Sequence, residues 1–480
     1  KSMESGGGKK WGGNRDRLSN LPDSILLDIL SRLPLTKDAA QTSVLSKRWR
    51  PLWTQLDRLS FCFSCSGSCG TILRPSVTRV ITSLMQNASP RVTRLHIAID
   101  TTYFPLEEYE NTPNPFSEPF DHQIEPLLSF AWRNRVEVFS FDCAVSRSPQ
   151  DFSKLFPSAS YVFPRGFYPC SSVRELKTVG FDFEDTLNCS ELRVLDIGLS
   201  NLSSRNYLDD LLSRCPLLES LRLFCCKLSR VDIMSTGLKK LAIIDTWDSK
   251  MAPNVRVSAP LLEHLELVSR KCMATSYLLI DVPSLVVANI DLHPKFCQVA
   301  TAIEFRRIVE GVSHAKELRM GTWFVKALST RQMQVNVLPA FSCKCLVVNL
   351  EKSDYYAYPG VKSLLQCLSM AEKLVLNFTE YGDGGIRQKF VSQLRTAFDH
   401  SNHYLKIIHV HGLHDSLENL YILEFLLKHT TALQEMVIHE IQSKKTLNKL
   451  IFAKKLVDLP KSSPAVVVRL PDDVNEEELS

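Results

Sequence analysis

The stretch "RCPLLESLRL", Arg214 to Leu223, carries the frame L-x-x-L-x-L at Leu218, Leu221 and Leu223. Alternate side chains of a strand point the same way, so Leu221 and Leu223 share one face and Leu218 enters from the turn ahead. A single strand of this kind has nothing to bury its leucines against. The frame recurs on both sides, as "LRVLDI" (Leu192 to Ile197), "LKKLAI" (Leu238 to Ile243) and "LEHLEL" (Leu262 to Leu267). Its fourth positions, Leu195, Leu221, Leu241 and Leu265, lie 26, 20 and 24 residues apart, and "LVVANI" (Leu285 to Ile290) follows at 23.

A frame repeating every 20 to 30 residues marks a leucine-rich repeat solenoid, in which stacked neighbours bury together what no repeat buries alone. Looser copies extend it: "VTRLHI" from Val92, "VEVFSF" from Val136, "AKELRM" from Ala315, "AEKLVL" from Ala371, "LKIIHV" from Leu405 and "LQEMVI" from Leu433. Cys225, Cys226, Cys343 and Cys345 fall in or beside such frames and read as small buried hydrophobes. The return segments are expected on the convex side, helical or irregular. The uneven spacing predicts an irregular horseshoe with insertions, at Phe104 to Phe120 and Ser146 to Cys170. Residues between the leucines face solvent on the concave side. They nominate Asp196, Arg222, Lys240, His264, Glu266, Asp291, Arg319 and Lys373 as a surface for a protein partner. Both charges alternate with small groups there, which suits a protein better than a phosphate backbone.

Upstream the pattern changes. Lys1 to Arg15 is rich in glycine and lysine and reads as a disordered tail. "LPDSILLDILSRLPL", Leu21 to Leu35, then places apolar residues at helical spacing, with Pro22 suited to the first turn, Asp23 complementing the dipole and Pro34 ending the helix. Thr36 is expected to cap a second helix whose buried side is Ala39, Ala40, Val44 and Leu45. Ser46 is expected to cap a third, "SKRWRPLWTQL", anchored by Trp49, Leu52 and Trp53 and distorted by Pro51. Three short helices cannot bury this much apolar surface among themselves. The surplus docks on the rest of the chain or on a partner.

With 480 residues, 44% hydrophobic and 23% charged, the chain exceeds one compact core and has the composition of a globular protein. A net charge of +5 is too weak a bias for a nucleic-acid binder, and no run of about 18 apolar residues suggests a membrane span. The 14 scattered cysteines, with no secretory leader evident, read as free thiols of the nucleus or cytoplasm; Lys9-Lys10 is too short for a localisation signal.

The segment Leu18 to Leu56 resembles an F-box. The likeness rests on Leu21-Pro22-Asp23 opening the first helix, Ile29-Leu30-Ser31 closing it, and "SVLSKRWRPLW", a form typical of large plant F-box families. "YLKIIHVHGLHDSLENLYILEFLLKHTTALQEMVI" followed by "LVDLPKSSPAVVVRL" resembles the FBD region that follows leucine-rich repeats in many of those proteins. Asp415 stands where a glycine is usual and Asn419 where an acid is usual. The expected fold is mixed α/β. A tail (1–15) leads to a three-helix F-box (16–60), an irregular leucine-rich repeat solenoid (90–360) and an FBD-like region continuing the repeats (361–475).

The resemblance implies a non-catalytic substrate receptor of an SCF-type ubiquitin ligase. Its F-box would dock on a Skp-family adaptor, and through it on cullin and RING subunits, while the repeats hold an unknown protein substrate. Leu21, Pro22, Ile25, Leu26, Leu30, Leu45, Trp49 and Trp53 are carried over as the adaptor interface or the core just beneath it. Two other classes fit: a scaffold whose F-box-like helices merely cap the solenoid, and a small-molecule sensor with a pocket on the concave face. Exposure of Leu21, Pro22 and Ile25 discriminates the first.

No cofactor motif or catalytic constellation stands out. Cys62, Cys65 and Cys69 lack a fourth zinc ligand nearby. His400, His403, His409, His411 and His414 cluster within fifteen residues, and His409 and His411 share a strand face, but no carboxylate or thiolate completes a recognisable metal site, so none is expected. "YGDGGIRQKF", from Tyr381, lacks the Lys-Ser ending of a P-loop.

Overall fold

The computed structural model describes residues 18, 21–64, 92–100, 128–142, 161–162, 171–183, 185–202, 206–228, 230–246, 254–269, 276–292, 300–328, 341–351, 358–368, 370–379, 401–443 and 446–471. The expected tail, the Phe104 to Phe120 insertion, most of Ser146 to Cys170, Cys65, Cys69, the glycine-rich stretch from Tyr381 and His400 lie outside them. The chain divides into two compact units, Lys1–Ala159 and Ser160–Ser480. Among the described residues no helix is long and apolar enough to cross a membrane.

The first unit opens with helix Asp23–Ser31, where Leu26 and Leu30 recur one turn apart and are fully buried. Helix Thr36–Gln41 follows and runs into a 3-10 turn, Thr42–Val44. The expected third helix is absent. Turns lead to a single 3-10 turn, Trp53–Gln55, because Pro51 falls inside the segment and has no N–H to give an α-helix. Trp49, Leu52 and Leu56 still reach the core built on Leu26, Leu30 and Ala39.

Thr36 also departs from expectation. It is the first residue of its helix and caps nothing; its buried hydroxyl accepts from the Ser60 N–H at 2.7 Å, fastening the helix to strand Arg58–Ser64. That strand pairs in parallel with Arg94–Asp100, which pairs with Val138–Asp142. Its frame, Leu56, Leu59 and Phe61, is one that the sequence reading did not single out.

The second unit is a parallel sheet. Its strands, in order, are Glu175–Val179, Val194–Gly198, Ser220–Phe224, Lys240–Ile244, His264–Ser269, Val287–Leu292, Glu317–Met320, Cys345–Glu351, Lys373–Thr379, Ile407–His411, Glu435–Ile438 and Val467–Arg469. The register never slips from frame to frame: Leu195 pairs with Leu221, Leu221 with Leu241, Leu241 with Leu265 and Leu265 with Ala288. The first, fourth and sixth positions of every frame from Leu192 to Ile438 are at most 3% exposed. The loose copies are therefore true repeats, as is "CKCLVV" at Cys343.

Consecutive repeats share one joint. At most joints the carbonyl of a second-position residue accepts two N–H groups from the next repeat; Val286 and Gln434 accept one, from Glu317 and Val467. Glu219 accepts from Lys239 at 2.8 Å and Lys240 at 2.9 Å, and Glu372 accepts from Lys406 at 2.9 Å and Ile407 at 3.0 Å. The return segments take two forms. Between Arg230 and Asp281 they are strands, Arg230–Met234, Asn254–Ser258 and Ser276–Asp281, which form a second, three-stranded parallel sheet. Further along they include helices, Ala300–Val312, Tyr358–Cys367 and Leu417–His429. Of these outer strands Asn254–Ser258 alternates and buries one side only, whereas Arg230–Met234 buries Val231, Asp232 and Ile233 in succession.

Candidate functional site

Helix Asp23–Ser31 spends Leu26 and Leu30 on its own core and leaves Ile25 45% exposed; Pro22 is also exposed and Leu21 is half-buried. The turn after the second helix does the reverse of what its sequence suggests. Val44 and Leu45, expected on the buried side, are 87% and 61% exposed. The helix has already ended at Gln41, so its periodicity no longer governs where these two point. Arg48 links the two places: its Nε donates to Asp23 Oδ1 at 2.8 Å and its guanidinium reaches the Leu21 carbonyl at 2.5 Å. Trp53 is half-buried against the core, while Trp49, Leu26 and Leu30 lie within it. The carried-over set thus divides. Pro22, Ile25 and Leu45 present atoms to solvent, Leu21 and Trp53 do so in part, and Leu26, Leu30 and Trp49 hold the surface from beneath. Val44 is the most exposed apolar residue of the head, and sequence reasoning missed it.

In the second unit the residues between the leucines line up in rows across the sheet. One row holds Ser220, Lys240, His264, Val287, Glu317, Cys345 and Lys373; the next holds Asp196, Arg222, Ala242, Glu266, Asn289 and Arg319. Asp291 pairs with Val268 and so stands one row beyond Asn289. Much of the charge has a partner, across the strands or along one. Arg222 lies 3.5 Å from Asp196, Asn289 donates to Glu266 at 3.0 Å, and Arg319 donates to Glu317 at 2.7 Å. The second row then turns aliphatic, with half-buried Val347, Val375 and Val437 around His409. Sequence reasoning passed over these valines, although their place in the frames would have revealed them.

The histidine run separates. His403 bonds Thr431 at 2.6 Å and His414 is buried in strand Leu413–His414, while His409 and His411 meet His439 from the next repeat. The two departures in the FBD-like stretch have local partners: Asp415 accepts from Ser443 at 2.6 Å, and buried Asn419 donates to the His414 carbonyl at 3.2 Å.

A helical head with uncovered apolar residues, followed by a parallel array of leucine frames, defines a protein-interaction class. Comparison with known proteins agrees. Residues 18–65 match the F-box domain family, and residues 150–299 match a family described as FBD-associated F-box protein At5g56370, LRR repeats. F-box/LRR-repeat protein At5g02910 of Arabidopsis thaliana is 26% identical over 446 residues, covering 88% of each chain. F-box/LRR-repeat protein 25 of the same plant is 32% identical over 232 residues, 48% of this chain and 76% of the relative. F-box protein At5g03100 is 27% identical over 350 residues, 69% of this chain and 97% of the relative. The chain belongs to the plant F-box/LRR-repeat family. Neither match is to a catalytic family.

Proposed function

We propose that this chain is the substrate-recognition subunit of an SCF-type cullin–RING ubiquitin ligase. Its F-box docks on a Skp-family adaptor, which connects it to the cullin and RING subunits, and the exposed strand face of the repeats holds the protein substrate. It contributes no chemistry of its own. It brings a substrate lysine close to the ubiquitin-conjugating enzyme, so that transfer becomes effectively unimolecular. The setting is the nucleus or cytoplasm.

One observation carries the reading. The head closes a core on Leu26, Leu30, Trp49 and Leu52, yet leaves Ile25, Val44 and Leu45 in water. Covering a side chain of this size contributes about 1.5–3 kcal/mol when burial is complete, so a partner gains several kcal/mol from these three alone.

The test is a calorimetric titration of the purified chain with a Skp-family adaptor, beside Ile25→Asp/Leu45→Asp and Leu21→Ala/Pro22→Ala. Both residues of the first pair are exposed, so that variant keeps the wild-type circular dichroism and melting temperature. We expect it to lose about 2 kcal/mol or more of binding, roughly thirtyfold in Kd. Absence of binding by folded wild type across several adaptors would overturn the reading and leave a ligase-independent scaffold.

A further inference from the structure

Three imidazoles converge at the exposed face of the sheet, two from one strand and one from the residue just past the end of the next. His409 and His411 alternate on strand Ile407–His411. Val410 pairs with Ile438, so His439 falls beside His411, and its N–H donates to the Val410 carbonyl at 2.9 Å. His409 Nδ1 lies 2.8 Å from His439 Nε2. The His411 and His439 rings stack at 4.0 Å between centroids, 5° from parallel. One ligand nitrogen from each ring lies within 4.8 Å of the other two. All three rings reach solvent.

The strand end is held firmly. Gly412 follows His411 at φ +63°, and a Cβ there would meet the Phe378 carbonyl oxygen at 2.2 Å. Partial burial pushes the His409 and His411 imidazoles below the ordinary histidine range. Lys373 and His439 press in the same direction on both, against Glu435 at His409 and Glu440 at His411. The neutral ring is the form that ligates metal.

We propose that His409, His411 and His439 form a binding site for a divalent zinc ion, with the fourth coordination position open to solvent. Imidazole nitrogen is a ligand that zinc favours. Tetrahedral zinc with bonds of about 2.0–2.1 Å places its ligand atoms roughly 3.3 Å apart. Nitrogens already within 4.8 Å reach that spacing by side-chain rotation alone. The open position lies on the strand face beside half-buried Val375 and Val437, where a side chain of a bound protein would complete the sphere. The site itself does not depend on the ligase reading.

The experiment strips the full-length protein with a chelator and titrates it with Zn2+ by calorimetry, beside His411→Ala/His439→Ala and the single His439→Ala. The wild type should take up one zinc that the double variant binds at least about a hundredfold more weakly. The single variant, altered only at an exposed ring, carries the comparison should the double variant fold poorly. Titration with Co2+ should give the visible bands of four-coordinate cobalt without thiolate charge transfer. Equal zinc binding by wild type and both variants, which would place the metal elsewhere on the chain, overturns the proposal, as does no uptake by the folded wild type.

Discussion

The Cys226 thiol is fully enclosed, its Sγ donating to the Ile197 carbonyl at 3.4 Å, and burial drives it above the ordinary thiol range. Burial also pushes Cys343 up to about 12 and Cys367 up to about 11. Cys62, by contrast, is exposed. Alkylation proceeds through the thiolate, and at neutral pH the thiolate fraction of Cys343 is about a thousandfold below that of an ordinary thiol, so it should react more slowly even before limited access slows it further. Brief iodoacetamide treatment of the native protein, followed by peptide mass spectrometry, should mark Cys62 and spare Cys226, Cys343 and Cys367. Treatment in denaturant should mark all four. The burial of Cys226 and Cys343 was legible in the sequence, because they fall in or beside leucine frames; Cys225 and Cys345, read as buried with them, are only half-buried. The exposure of Val44 and Leu45 was not legible. Only the early end of the preceding helix turns them outward, and helix ends are set by geometry that a pattern does not carry.

Among the elements, the joint before strand Ile407–His411 depends on one buried amide. Asn402 Oδ1 accepts from the N–H groups of Tyr404 at 3.0 Å and Leu405 at 2.9 Å, and its Nδ2 donates to the Leu368 carbonyl at 2.6 Å. Asn402→Ala leaves the Leu405 N–H and the Leu368 carbonyl without this partner, at a cost of about 2–4 kcal/mol. Urea unfolding should show a lower midpoint with an unchanged slope. A shift below about 0.5 kcal/mol would mean that water replaces the amide. The strands of the main sheet were readable because every frame repeats one burial rule. The return strands Arg230–Met234 and Asn254–Ser258 were not foreseen, since either helix or irregular chain satisfies the same outer position. The missing third helix of the head follows from Pro51, whose effect was foreseen as a distortion and is in fact an interruption.

For the molecule as a whole, stability in a stacked array is a sum over neighbours. Each strand of the second unit pairs only with those before and after it in the sheet. Hydrogen exchange on Asn402→Ala should therefore speed up in Lys373–Thr379, Ile407–His411 and Glu435–Ile438, while Val194–Gly198 and Ser220–Phe224 keep wild-type protection. Equal acceleration everywhere would show that the array opens as one body. The same arrangement explains what the candidate sites withheld from a sequence reader. His439 stacks on His411 but is separated from it along the chain by helix Leu417–His429, so no local motif announces it. The joint between repeats has an evolutionary consequence. A second-position carbonyl takes two N–H groups from its successor whether the fourth positions are 20 residues apart, as at Leu221 and Leu241, or 34, as at Leu374 and Ile408. A stretch of gene encoding one unit thus carries compatible couplings at both ends. In-frame duplication or loss of such a stretch would change the row of side chains on the strand face while leaving the seam between neighbours intact.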